Sequence, residues 1–222
     1  MEKLEAVIFD MDGVIIDSEP IYFEIERRLF NALNLDLSQK EHQSFVGMTI
    51  KGLWKEIKKK YPINHSIKEL SQIHKDEIFS YMSNAEKLPL VVGINKLIEE
   101  ISKEGLKMAV ASSSPKRLIE IILDKLKLDK SFDLLISGEE VMHGKPSPDI
   151  FLYTADKLRV KPTNSIIIED SANGVRAAKT AKMKCIGFQN LNSGKQDLSP
   201  ADIIVDSIDE VNIKVLEGLF AR

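Results

Sequence analysis

Four apolar residues, Ala6-Val7-Ile8-Phe9, two of them β-branched, run directly into Asp10-Met11-Asp12-Gly13. A run this short and this apolar reads as a strand buried on both faces, which commits the chain to a sheet covered from both sides. The strand ends in carboxylates. In an extended exit segment residues two apart point the same way, so Asp10 and Asp12 converge on one place, and Gly13 lets the backbone turn there without a side chain in the way. Two like charges that close need a shared proton or a cation. A divalent metal is the simplest remedy, and oxygen-only ligands favour magnesium. A strand followed by a solvated acidic turn fits the same residues, so the rest of the chain decides.

From Val91 onward, short apolar runs alternate with helical stretches. Residues 107–112, 134–136, 165–168, 184–188 and 203–205 read as strands. Residues 93–104, 115–126, 148–158 and 172–181 read as helices, and Ser207 with Glu210 is expected to cap a last helix carrying Val211, Val215 and Leu219. Alternating strand and helix gives an α/β fold, a parallel sheet with helices on both faces. Residues 18–83 break this rhythm. Ser18-Glu19-Pro20 starts a helix with Ile21, Ile25, Leu29 and Leu33 spaced by four. Ser38 with Glu41 and Ser66 with Glu69 have capping-box spacing, and Thr49 caps a helix that Pro62 closes. The expected organisation is an α/β core of residues 1–16 and 87–222, interrupted by an all-helical insert of residues 17–86. Its junctions, 14–17 and 84–89, would be the two strands of one hinge on which the insert swings.

The chain has 222 residues, 43% of them hydrophobic, and a formal net charge of -3, which suits one large or two small domains. That balance argues against nucleic acid as a partner. Lys55, Lys58, Lys59 and Lys60 cluster beside Trp54 and are read as a solvated helix face. No apolar run approaches a membrane span, and Met1-Glu2-Lys3-Leu4-Glu5 lacks the order of a signal peptide. A cytoplasmic monomer with no membrane partner is expected. The single cysteine, Cys185, excludes an internal disulfide and is read as a buried, inert thiol.

Active sites of open parallel sheets lie at the carboxyl ends of the strands. The first strand delivers Asp10 and Asp12, and the second delivers Ser112-Ser113-Ser114. A loop after the third holds Gly144-Lys145-Pro146-Ser147-Pro148-Asp149, and the fourth ends in Glu169-Asp170-Ser171. Each alone has a plain structural reading as turn former, surface lysine or helix cap. Together, acid, hydroxyl, lysine and acid form a phosphate-handling set. Glu169 and Asp170 can complete a magnesium site with Asp10, Ser112 can hydrogen-bond a phosphoryl oxygen, and Lys145 can neutralise both phosphate and carboxylates.

These four motifs, in this order and spacing, resemble those of the haloacid dehalogenase-like hydrolases, and the resemblance spans the whole chain. The insert resembles that family's helical cap. Asp17-Ser18-Glu19-Pro20 looks like the branch holding sugar-phosphate phosphatases and β-phosphoglucomutase. The resemblance implies a Rossmann-like core and a magnesium-dependent phosphatase acting on a small phosphorylated metabolite. Asp10 would be the nucleophile, forming an aspartyl-phosphate, and Asp12 the general acid and base. Magnesium would be held by Asp10, the backbone carbonyl of Asp12 and Asp170, with Glu169 nearby. Ser112, Ser113 and Lys145 would hold the phosphoryl oxygens, and cap closure would exclude water.

Three rivals share parts of this pattern. A haloalkanoate dehalogenase needs neither the metal nor Asp12. A phosphate-accepting regulatory switch would lack the helical insert. A phosphomutase would keep the whole core and add a cap arginine and a histidine after the first motif. Aligning Val46-Gly47-Met48-Thr49-Ile50 puts Ile50 at the arginine's place, with Lys51 one residue away, and Tyr22 at the histidine's.

Overall fold

A computed structural model describes residues 3–45 and 48–220. Six strands, β1 (Ala6–Phe9), β2 (Lys107–Ser112), β3 (Leu134–Ser137), β4 (Ser165–Glu169), β5 (Lys184–Phe188) and β6 (Ile203–Val205), form one parallel sheet in the order β3-β2-β1-β4-β5-β6. The order runs one way from β1 and then reverses across it, so the crevice beyond β1 and β4 is the topological switch point. Phe9 stands level with Val110 on one side and Ile168 on the other. The next residues along the three central strands are therefore Asp10, Ala111 and Glu169. Register alone brings two carboxylates side by side.

Helices α5 (Ile94–Lys103), α6 (Lys116–Lys125), α7 (Asp149–Leu158), α8 (Ala172–Thr180) and α9 (Ile213–Gly218) belong to the same unit as the sheet. Side chains alternate across a strand, so Ala6, Ile8, Ala109, Ala111, Ile167 and Cys185 share one face, packed with Phe151 and Leu158 of α7 and Val175 and Ala178 of α8. The other face carries Val7, Phe9, Met108, Val110, Ile166 and Ile168, and α5 packs on it at β2. Cys185 lies in this core, and burial pushes its thiol well above the ordinary range, as an inert thiol requires.

The chain divides into two compact units, one of Met1–Asp17 with Lys87–Arg222 and one of Ser18–Glu86. The second is all helix: α1 (Glu19–Ala32), α2 (Gln39–Gln43), α3 (Ile50–Lys60) and α4 (Ile67–Asn84). Its interior holds Ile25 and Phe30 of α1, Trp54 and Ile57 of α3, and Leu70 and Met82 of α4. The basic cluster is tied up locally, Lys59 with Glu56, Lys60 with Glu41, and Lys58 with the Ile63 carbonyl. Among the described residues no helix is long and apolar enough to cross a membrane. At the junction, Asp17 N–H donates to the Pro89 carbonyl and Val91 N–H to the Ile15 carbonyl, both at 2.9 Å, so the two connecting segments lie side by side.

Two caps differ from the sequence reading. Ser38 does accept the Glu41 N–H, but the Glu41 carboxylate turns to Lys60 and the Tyr61 hydroxyl, leaving half a capping box. The Ser207 and Glu210 box closes on one 3-10 turn, Ile208–Glu210, not on the last helix. Val211 becomes extended and buried there, and Asn212 restarts the chain as the cap of α9.

Candidate active site

Lys145 sits at the centre of the strand ends. Its side chain is only 6% exposed, and its ammonium donates to Asp10 Oδ1 at 2.6 Å, Glu169 Oε1 at 2.7 Å and the Ala111 carbonyl at 3.1 Å. These three acceptors are the row that the sheet register lines up, so one lysine ties together the ends of β1, β2 and β4. Its loop is pinned from below, because Asp149, at the start of α7, accepts from the Ser147 hydroxyl at 2.5 Å and the His143 N–H at 3.3 Å. The Asp10 backbone N–H donates to the Ile168 carbonyl at 3.0 Å and holds the exit of β1 against β4.

Asp10, Glu169 and Asp170 are all buried, and one ligand oxygen from each lies within 4.8 Å of the others. Three carboxylates against one ammonium leave an excess of two negative charges. Burial pushes Asp10 up to about 7 against the pull of Lys145, and Glu169 and Asp12 push the same way. Asp170 is also raised, by burial first and then by Glu169 and Asp10. Burial pulls the Lys145 ammonium down, but Asp10 and Glu169 more than offset it and hold it above the ordinary lysine range. The set fits a hard divalent cation: the donors are all oxygen, and the uncompensated charge is two. The backbone makes room for it. Gly13 has φ +81°, and a Cβ there would fall 2.0 Å from Asp170 Oδ2; a Cβ on Gly174 would fall 1.6 Å from Glu169 Oε1.

The remaining residues of the sequence reading surround this cluster. Asp12 Oδ2 accepts from the Ser114 hydroxyl at 2.9 Å, with the Ser112 hydroxyl at 3.5 Å. Ser112 is buried at the end of β2 and accepts the Ser114 N–H at 3.1 Å, whereas the Ser113 side chain is exposed. Glu169 Oε2 braces the turn into α8, taking the Ser171 N–H at 2.8 Å and hydroxyl at 2.9 Å. The carboxylate thus both steadies Ser171, which caps α8 by accepting the Gly174 N–H at 3.0 Å, and faces the lysine. Ser114 was not singled out from the sequence, although it stands in the same hydroxyl run. Also missed was the loop after β5, where Asn190 Nδ2 donates to the Gly13 carbonyl at 2.8 Å and the Ser193 hydroxyl donates to Asp170. A polar stretch after a fifth strand was the available signal. Of the segment compared with the mutase, Val46 and Gly47 lie outside the described residues, Ile50 opens α3 and Tyr22 lies on α1.

The sequence model of the haloacid dehalogenase-like hydrolases matches residues 7–188. The chain belongs to that family. Among curated relatives, it is 31% identical over 211 residues to a phosphorylated carbohydrates phosphatase of Thermotoga maritima, covering 94% of this chain and 96% of the relative. It is 32% identical over 224 residues to hexitol phosphatase B of Escherichia coli, covering 97% and 98%. Among solved structures, a β-phosphoglucomutase from Clostridium difficile superposes with a TM-score of 0.78 at 26% identity, covering 97% of this chain and 96% of that one. The sheet and its covering helices are those of a haloacid dehalogenase-like core.

Proposed function

We propose that this protein is a magnesium-dependent phosphatase that hydrolyses small phosphate monoesters, sugar phosphates or sugar-alcohol phosphates, through an aspartyl-phosphate on Asp10. The observation that carries the reading is the single row of Asp10 and Glu169 joined by Lys145, with Asp170 beside it and Asp12 two residues on. A carboxylate oxygen of Asp10 attacks phosphorus while the ester P–O bond breaks, and Asp12 gives its proton to the departing alkoxide. Asp12 then takes a proton from water, which attacks the same phosphorus and releases phosphate from Asp10. The Ser114 hydroxyl, 2.9 Å from Asp12, holds that carboxyl in place between the two proton transfers. Lys145 keeps Asp10 facing the crevice, and Ser112 and Ser113 at the end of β2 supply donors toward the phosphoryl oxygens.

Asp10 and Asp170, with Glu169 nearby and the Asp12 backbone, would hold the cation. When bound, it supplies positive charge against the transferring group and keeps Asp10 ionised at neutral pH. The helical unit is assigned the role of a cap that shields the site from bulk water. The two phosphatase relatives support the substrate class. A second reading, a phosphomutase, has the β-phosphoglucomutase likeness in its favour and Ile50 and Tyr22 against it.

The test is phosphate release across hexose, pentose and hexitol phosphates, with and without chelator. Release from several of them, abolished by chelator and restored by magnesium, is the expected outcome. Undiminished turnover in chelator would remove the metal from the reading. Conversion of β-glucose 1-phosphate to glucose 6-phosphate, primed by the 1,6-bisphosphate and with little free phosphate, would replace the phosphatase with the mutase.

A further inference from the structure

The loop that follows β5 plays no part in the mechanism above, yet it reaches the site at two buried points. Ser193 and Asn190 are 6% and 7% exposed. The Ser193 hydroxyl donates to Asp170 Oδ2, and Asn190 Nδ2 donates to the carbonyl of Gly13 at 2.8 Å, in the turn just beyond Asp10 and Asp12. The loop is internally braced. Asn190 Oδ1 accepts the Asn192 N–H at 2.9 Å, and the Ser193 N–H returns to the Asn190 carbonyl at 3.2 Å. Gln196 closes the far side, donating to the Ser193 carbonyl at 2.9 Å and accepting the Ala172 N–H at 3.1 Å at the start of α8. Asn192 donates to Asp17 Oδ2 at 2.7 Å. One short segment thus holds the turn after β1, the turn after β4 and the junction at Asp17.

We propose that Ser193 is a positioning residue for the cation site, fixing the Asp170 carboxylate so that its other oxygen faces the ion, with Asn190 locking the loop that carries it to the nucleophile turn. The inference rests on the reading that Asp10 and Asp170 hold a divalent cation. The physical need is clear from the neighbours: Glu169 and Asp10 repel Asp170, and Gly13 offers no side chain to steady it. A free carboxylate there would rotate away from the other acids. The serine hydroxyl removes that freedom by occupying one oxygen, and the space left by the missing Gly13 Cβ, which would lie 2.9 Å from Ser193 Oγ, lets it do so. Partners behind metal-binding carboxylates commonly set affinity by about 10–100-fold.

The experiment measures binding without substrate, by the magnesium-dependent rise in melting temperature and by manganese binding followed by electron paramagnetic resonance. Ser193→Ala is expected to raise the ion concentration for half-saturation about tenfold or more. At saturating magnesium its KM for substrate should stay at the wild-type value. Ser193→Thr, which restores the hydroxyl, should recover wild-type ion binding; a threonine variant as weak as the alanine one would overturn the proposal. Asp170→Asn separates the two levels of argument. Should that variant keep the wild-type ion response, the cation reading itself fails. Should it lose the response while Ser193→Ala binds the ion as tightly as wild type, only the positioning role fails.

Discussion

Each unit of the protein buries a cluster of charged side chains, and the two clusters are built on opposite plans. In the sheet unit, Asp10, Glu169 and Asp170 face one lysine. In the helical unit, Glu26 faces two histidines, His42 Nε2 at 2.7 Å and His74 Nε2 at 3.9 Å, in a nest of Phe23, Phe30 and Trp54 rings. An imidazole can be neutral or charged, so one acid with two histidines reaches balance with protein groups alone. Three acids with one lysine cannot, and burial drives Asp10 and Asp170 toward protonation instead. In the helical cluster the countercharge comes from the protein's own histidines, whereas the sheet cluster keeps an excess of negative charge that the proposed cation would balance. Buried charge that the protein leaves unbalanced is a candidate site, because the excess is costly unless something else compensates it.

The largest expected effect comes from breaking the unbalanced cluster at Asp10, the proposed nucleophile. Asp10→Asn should lower turnover by roughly 10³-fold or more while the far-UV spectrum stays that of the wild type. Near wild-type hydrolysis by this variant would end the nucleophile assignment. Lys145→Ala tests balance rather than reactivity. It leaves Asp10 and Glu169 buried without their cation, which destabilises by about 3–5 kcal/mol in chelator, and it should impair both substrate binding and turnover. Adding Asp10→Asn to it should return part of that stability, because one of the stranded charges is gone. A double variant no more stable than Lys145→Ala would mean that the lysine acts through packing, including its position 4.9 Å over the Phe151 ring.

The sequence made the strands legible because each is a short, largely apolar run, and the two at the centre, β1 and β4, are buried throughout. Strands β2 and β5 lie where the apolar residues 107–112 and 184–188 put them, with polar neighbours marking the ends. The convergence of Asp10, Lys145, Glu169 and Asp170 was legible for the same reason, since strand ends in a parallel sheet share one edge. Strand order was not legible, and it decides the rest. Only the placement of β5 next to β4 brings Asn190 and Ser193 to Gly13 and Asp170, and no local pattern encodes that pairing. Glu41 shows the same limit in the helical unit. Its spacing from Ser38 is that of a capping box, but Lys60 and Tyr61, about twenty positions away in the chain, take its carboxylate.

The finest test of the comparison is that the two clusters give stability opposite slopes with pH. In chelator Asp10 is raised from 3.8 to about 7, so the folded chain holds a proton that the unfolded chain gives up. Its contribution is present below pH 3.8 and is lost as pH rises through 7, by about 4 kcal/mol at most. Magnesium should flatten this decline, and Asp10→Asn should remove the part due to Asp10 while the part due to Asp170, which burial also raises, remains. His74 runs the other way. Burial lowers it below 6.5 against the pull of Glu26, so the unfolded chain takes up its proton first and stability falls as pH drops below 6.5. The chain's single tryptophan, Trp54, is wholly buried with its ring 6.1 Å from that of His74, so its fluorescence reports the helical unit. Denaturant midpoints read by Trp54 should fall from pH 7 to pH 5.5 in the wild type. They should stay level in His74→Phe, which keeps an aromatic ring and removes the titrating group. An acid limb that survives the substitution would show that the helical cluster is not closed by His74 and would erase the contrast between the two plans.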